Sequence, residues 1–172
     1  MSTISNKKII FTGPIGAGKT TAIQTMSNIP IVNTNENTDD KKIEPKVQTT
    51  VAMDYGRIDI GKKEKIHLYG TPGQERFNFM QDVLTNGAVG LILLLDNSRQ
   101  NSKQDLAFYI NAYKGFIAKG ELVIGVTKMD KVDSPNIDNY REWLQELSVE
   151  SPVFTVDARN KKDISSLVQA LL

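Results

Sequence analysis

The chain has no cysteine. That excludes disulfides, a thiol nucleophile and a thiolate metal site, and it fits a reducing compartment, so a cytoplasmic location is expected. Histidine is nearly absent as well: His67 stands alone, inside a strand-like run where packing is its ordinary role. No carboxylate pair, metal-ligand cluster or Ser/His/Asp set points to other chemistry. Charge of one sign is also missing. With 21 basic and 20 acidic residues the formal net charge is +1, which gives no electrostatic ground for nucleic acid or an anionic membrane as partner. Long apolar runs are lacking too. The longest, Ala88 to Leu95, is far too short to span a bilayer and reads as a buried strand. The start has no apolar stretch of signal-peptide type, and Ser2 stands where myristoylation needs glycine. Lipidation at cysteine is unavailable, so no direct membrane anchor is expected.

What is present is the composition of an ordinary globular domain. At 172 residues, 40% hydrophobic and 24% charged, residues 1–172 are long enough for one hydrophobic core and read as a single domain. The pattern along the chain alternates. Lys7 to Thr12 is a β-rich run ending at a glycine, and Thr20 to Ser27 has apolar residues at helical spacing. Asn33 to Lys46, crowded with Asn, Thr, Asp and Lys, reads as a mobile loop. Val47 to Ile60 and Glu64 to Tyr69 are strand-like and joined by Gly61-Lys62-Lys63 as a hairpin. Phe77 to Leu84 reads as a helix, Val89 to Leu95 as a strand, and Gln104 to Ile117 as a helix. Leu122 to Val126 and Val153 to Val156 are further strands, with helices at Asn139 to Leu147 and Ile164 to Leu172. This order predicts an α/β fold with a mostly parallel six-stranded sheet, one antiparallel edge strand, and helices on both faces.

The segment Gly13-Pro14-Ile15-Gly16-Ala17-Gly18-Lys19-Thr20 carries the chemistry. It follows a strand and opens a helix, the context that a phosphate-binding loop needs. Small residues let consecutive backbone N–H groups turn inward around phosphates, and the positive end of the helix points to the same place. Gly13, Gly16, Ala17, Gly18, Lys19, Thr20 and Thr21 are the candidate phosphate-binding residues. Lys19 would bring a cation to the β- and γ-phosphates, and the Thr20 hydroxyl would be a Mg²⁺ ligand.

With this loop, a Thr71-Pro72-Gly73-Gln74-Glu75 segment and a later Thr127-Lys128-Met129-Asp130, the chain resembles the Ras-like small GTPases, a P-loop NTPase family. The nearest look is to prokaryotic, MglA-type bacterial members, and Gln74-Glu75-Arg76-Phe77 resembles the Rab type. The resemblance covers essentially the whole chain. It implies GTP and GDP as ligands with Mg²⁺, and Asp130 as the carboxylate that accepts the N1–H and 2-amino hydrogens of guanine. Lys128 would cover the base with its stem, and Thr127 stands where Asn is commoner. Asp157, Ala158 and Arg159 look like the last nucleotide motif, with the Ala158 N–H facing the guanine O6. In the first switch Thr50, preferred over Thr49, would reach Mg²⁺ and the γ-phosphate. In the second, Gly73 would contact that phosphate and Gln74 orient the attacking water. The resemblance also implies a monomer that signals through effector and regulator proteins at its switches, among them a roadblock-type GTPase-activating protein.

Two departures bear on the chemistry. Gly70 stands where the family usually has an aspartate near the metal, which predicts looser Mg²⁺. Ile15 occupies a loop position that is small in many relatives; it either crowds Gln74 and slows hydrolysis, or packs on its neighbours. Arg57 and Arg76 lie near the switches, each more plausible as a solvated side chain than as a catalytic cation. Asp54 and Asp59 alternate with apolar residues and are expected to face solvent, and Tyr140 and Trp143 to pack. The expected function is a slow GTP-hydrolysing switch using Lys19, Thr50 and Gln74. A nucleotide-binding scaffold with little or no hydrolysis is the alternative, motivated by Gly70 and Ile15. An ATP-dependent enzyme on the same loop is a third reading, one that leaves Asp130 without a purpose.

Overall fold

A computed structural model describes residues 3–33, 54–71 and 84–172. Among them, seven strands form one sheet: β1 (Ser5–Thr12), β2 (Val32–Asn33), β3 (Asp54–Ile60), β4 (Glu64–Gly70), β5 (Gly90–Asp96), β6 (Glu121–Thr127) and β7 (Val153–Thr155), in the order β2-β3-β4-β1-β5-β6-β7. The helices are α1 (Lys19–Met26), α2 (Ser102–Ala112), α3 (Lys114–Ile117), α4 (Ile137–Glu146) and α5 (Lys161–Leu171). The α/β class and the mostly parallel sheet are as the sequence predicts, with one strand more. The addition is β2, a two-residue strand too short to show a period, which pairs antiparallel outside β3. The expected Gly61 hairpin is present, and β3 runs antiparallel to β4. The expected mobile loop beyond Asn33, the first half of the Val47 to Ile60 strand and nearly all of the Phe77 to Leu84 helix lie outside the described residues.

β1 and β5 form the centre because both sides of each are apolar. Ile9 and Phe11 face α1 and α5 together with Ile92 and Leu94 of β5, while Ile10, Leu91, Leu93 and Leu95 face α2 and α4. Each of these side chains is 0–1% exposed, as strands covered on both faces require. The helix expected over Gln104 to Ile117 starts two residues earlier and breaks at Tyr113, leaving α3 as a single turn. Gly115, a weak helix former, lies in that turn. Tyr113 is buried at the junction.

The parallel strands β1, β4, β5, β6 and β7 all end at one edge of the sheet, the edge where ligands of open α/β sheets bind. Their last residues are Thr12, Gly70, Asp96, Thr127 and Thr155. The antiparallel β3 begins at this edge, so Asp54 lies directly opposite Gly70.

Leu167 of α5 is fully buried beneath the sheet against Gly125 of β6. Leu167→Ala should lower unfolding free energy by about 3 kcal/mol, the usual cost of a cavity at such a site, measured by urea titration.

Candidate functional site

The turn after β1 is shaped by a close backbone approach. Gly13 has φ +142°, and a Cβ there would lie 2.0 Å from the Leu94 carbonyl oxygen of β5. No side chain fits. Gly18 has φ +106°, and a Cβ on it would meet the Ala158 Cβ at 2.8 Å. These positions fold the loop back under the end of α1. Gly18 caps that helix without a side-chain hydrogen bond. The Ala22 N–H bonds the Gly18 carbonyl at 2.8 Å, so the N–H groups of Lys19, Thr20 and Thr21 stand ahead of the helical ladder at its positive end. No acidic residue occupies the first turn to compete for an anion.

Lys19 is buried, with its ammonium donating to the Gly13 carbonyl and, at 3.0 Å, to the Pro14 carbonyl. An ammonium has three donors, so among the described residues these bonds leave one for a bound anion. Burial lowers the Lys19 pKa to about 8, against the opposing pull of the Asp54 carboxylate. The Thr20 hydroxyl donates to Oδ2 of Asp54. Thr21 is half-buried beside the loop and lines the cleft described next.

A cavity of about 540 Å³ opens beside the loop, lined by Gly16, Ala17, Gly18 and Thr21 on one side. Thr127, Lys128 and Asp130 line it on a second side, and Asp157, Ala158 and Arg159 on a third. That volume lies in the range of small-molecule and cofactor sites. Segments separated by more than a hundred residues thus share one cleft, as their motifs imply. Thr127 is a tether: its buried hydroxyl lies 2.9 Å from the Ala17 carbonyl and 3.1 Å from that of Leu95, binding the phosphate loop to the sheet edge. Lys128 adopts a left-handed backbone (φ 60°). Its ammonium donates to the Gly16 carbonyl and to the Asp96 carboxylate, both at 2.9 Å, and this draws the stem along the cleft wall. Asp130 is exposed and lines the cleft.

Asp157 acts on its neighbour. Its carboxylate takes the Arg159 guanidinium in two hydrogen bonds, of 3.0 and 2.8 Å, together with the Arg159 N–H at 2.9 Å. These bonds hold the Asp157 pKa down to about 2. The turn is fixed further by Asp163, which accepts the Asp157 N–H at 2.9 Å, and by Thr25 of α1, which donates to the Ala158 carbonyl at 2.8 Å.

Asp96 is a site residue that sequence reasoning missed. Burial pushes its carboxyl up, but hydrogen bonds from Ser98 and Lys128 outweigh that and hold it below the usual carboxylate range. A lone acid closing a continuous apolar strand was the available signal. Tyr140 is fully buried, as expected, and its hydroxyl donates to Asn97 at 2.6 Å, fixing the strand end beside Asp96. Asp54 needs correcting. Period two sets it on the same face as Gly56 and Ile58, towards α1, while Asp59 on the opposite face is exposed as expected. Arg57 pairs with Asp59 at 2.7 Å. Ile15 is 75% exposed, so it does not pack on its neighbours. Thr49, Thr50, Gly73, Gln74 and Arg76 lie outside the described residues.

The donor set around Thr20 suits a hard cation: a hydroxyl hydrogen-bonded to a carboxylate, all oxygen. Among the described residues no group of three or more His, Cys, Asp or Glu side chains could hold a metal alone.

The sheet order, the glycine loop at the end of β1 and the shared cleft define a Ras-like P-loop fold. A family model described as "Conserved hypothetical ATP binding protein" matches residues 30–172, and the chain belongs to that family. An uncharacterized protein of Methanocaldococcus jannaschii is 39% identical over 100 residues, 57% of this chain and 56% of that protein. Ras-related protein Rab-27B of Rattus norvegicus is 24% identical over 96% of this chain and 77% of its own length. Ras-related protein Rab-18-B of Danio rerio is 26% identical over 78% of this chain and 62% of its own length. Over most of its length the chain is thus similar, at low identity, to Ras-related Rab proteins.

The low pKa of Lys19 has a definite sign in stability. Between pH 8 and 10.5 the unfolded chain binds a proton that the folded chain has released, so this group makes the nucleotide-free protein more stable as pH rises. Lys19→Met should flatten that rise when the two proteins are compared by urea denaturation at pH 7.5 and 9.5.

Proposed function

We propose that the chain is a guanine-nucleotide switch that binds GDP and GTP with Mg²⁺ and hydrolyses GTP slowly. The observation that carries this reading is the position of Asp130 on the wall of the cleft that begins at the phosphate loop. Guanine presents two adjacent N–H donors that one carboxylate can accept, whereas adenine offers neither in that position. Lys128 would lie along the base with its stem held by Gly16 and Asp96, and the Ala158 N–H would face O6. Arg159, steadied by Asp157, would close the outer side.

In hydrolysis, Gln74 would orient a water for in-line attack on the γ-phosphate. The Lys19 ammonium and the N–H groups at the start of α1 would stabilise charge on the phosphate oxygens. Mg²⁺, held at Thr20 and Thr50, would neutralise further phosphate charge when bound. Gly73 would sense the γ-phosphate, and the difference between the two nucleotide states would be read by protein partners at the switches that hold Thr50 and Gln74. A roadblock-type regulator would be among them. Ile15, exposed on the loop, would crowd Gln74, which favours a low intrinsic rate.

The name of the chain's family supports a second reading, with ATP as the nucleotide. Asp130→Ala separates the two. Loss of a doubly hydrogen-bonded carboxylate should weaken GDP by roughly 100-fold or more, followed with a fluorescent GDP, and should leave ATP binding unchanged. Equal GDP affinity in the variant would contradict guanine recognition at this position. Single-turnover GTP hydrolysis by the wild type should exceed that of Gln74→Ala; equal rates would favour the scaffold without hydrolysis.

A further inference from the structure

Gly70 ends β4, and the side-chain direction at this position points to α1. A Cβ built there lies 2.9 Å from Cδ1 of Ile23, 3.4 Å from Cβ of Asp54 and 3.7 Å from its Oδ2. A side chain at position 70 would therefore project into space that the Asp54 carboxylate already borders. The two residues are directly opposed across the antiparallel β3–β4 pair, so their side-chain directions are shared. Asp54 is half-buried, and its carboxylate accepts the hydrogen of the Thr20 hydroxyl, the first hydroxyl of α1 after the phosphate loop. A hydroxyl that donates to a carboxylate keeps its lone pairs for a cation.

We propose that Asp54 supplies from β3 the carboxylate that position 70 of β4 lacks, orienting Thr20 and placing negative charge beside a Mg²⁺ ion bound there with the nucleotide. The carboxylate has in effect moved one rung across the sheet. This accounts for glycine at position 70, since a second carboxylate there would face Asp54 at close range. It also removes the reason to expect loose metal from Gly70 alone. Asp54 is a positioning residue in this arrangement, acting on the metal through Thr20. The inference rests on the nucleotide-binding reading above.

The test is the Mg²⁺ dependence of GDP release from preloaded protein, followed with a fluorescent GDP as free Mg²⁺ is varied, with GDP affinity in EDTA measured alongside. Asp54→Ala should raise the Mg²⁺ midpoint by roughly 10- to 100-fold, the usual cost of losing a residue that orients a metal ligand, and leave affinity in EDTA near wild type. Asp54→Asn, nearly isosteric, should also raise it, because the amide lacks the charge. Moving the carboxylate back with Asp54→Gly plus Gly70→Asp should return the midpoint towards wild type. Asp59→Ala, on the opposite face of β3, should leave it unchanged. A wild-type Mg²⁺ midpoint in both Asp54→Ala and Asp54→Asn, with GDP still bound, overturns the role of Asp54 and spares the nucleotide reading. A wild-type protein that holds no GDP with or without Mg²⁺ overturns both.

Discussion

The turn after β1 passes so near β5 that the Leu94 carbonyl occupies the place of a Gly13 side chain, and the rest of the site is built on that approach. Because the turn hugs β5, the loop doubles back beneath α1, and the helix starts with its positive end at the edge where the parallel strands finish. Lys19 then reaches inward to the Gly13 and Pro14 carbonyls. Lys128 reaches across to Gly16 from the end of β6, and Thr127 ties Ala17 down from the same strand. The loop is held by its neighbours at both ends. These contacts fix the geometry of the loop.

Polar groups at the strand ends are arranged in the same spirit. Asp96 is buried yet satisfied, by Ser98 and by the ammonium of Lys128. Thr71, directly after β4, bonds Thr12 through its hydroxyl at 2.9 Å and the Phe11 carbonyl through its N–H, also at 2.9 Å. Thr12 in turn lies 3.2 Å from the Tyr113 hydroxyl at the break between α2 and α3. A buried hydroxyl chain thus joins the end of β4 to the opposite helical layer.

Much of this was legible in the sequence because the signals were local. Apolar period identified every parallel strand, and the glycine spacing with Lys19 and Thr20 identified the phosphate loop. The three segments around the cleft followed from motif order. What was not legible depended on pairing across the sheet. Alternation sets Asp54 on the face of Gly56 and Ile58, but what it meets there, Gly70 across the pair and the Thr20 hydroxyl, comes only from the pairing of β3 with β4. Asp96 gained its meaning only when Lys128 came within 2.9 Å of it. The two-residue β2 is too short for a period, and apolar helical spacing runs on through Tyr113, where the helix breaks just ahead of Gly115. The kinships in turn differ in what they describe: the family model begins at residue 30, after the phosphate loop, whereas the Rab-27B match covers 96% of the chain.

Which base the cleft accepts is the central claim, and it turns on Asp130. Isothermal titration calorimetry of the nucleotide-free protein with GDP and with ATP, each in the presence of Mg²⁺, tests it most directly. The account predicts tight binding of GDP and no measurable heat with ATP. Binding of ATP in preference to GDP would contradict it and assign the cleft to an adenine nucleotide.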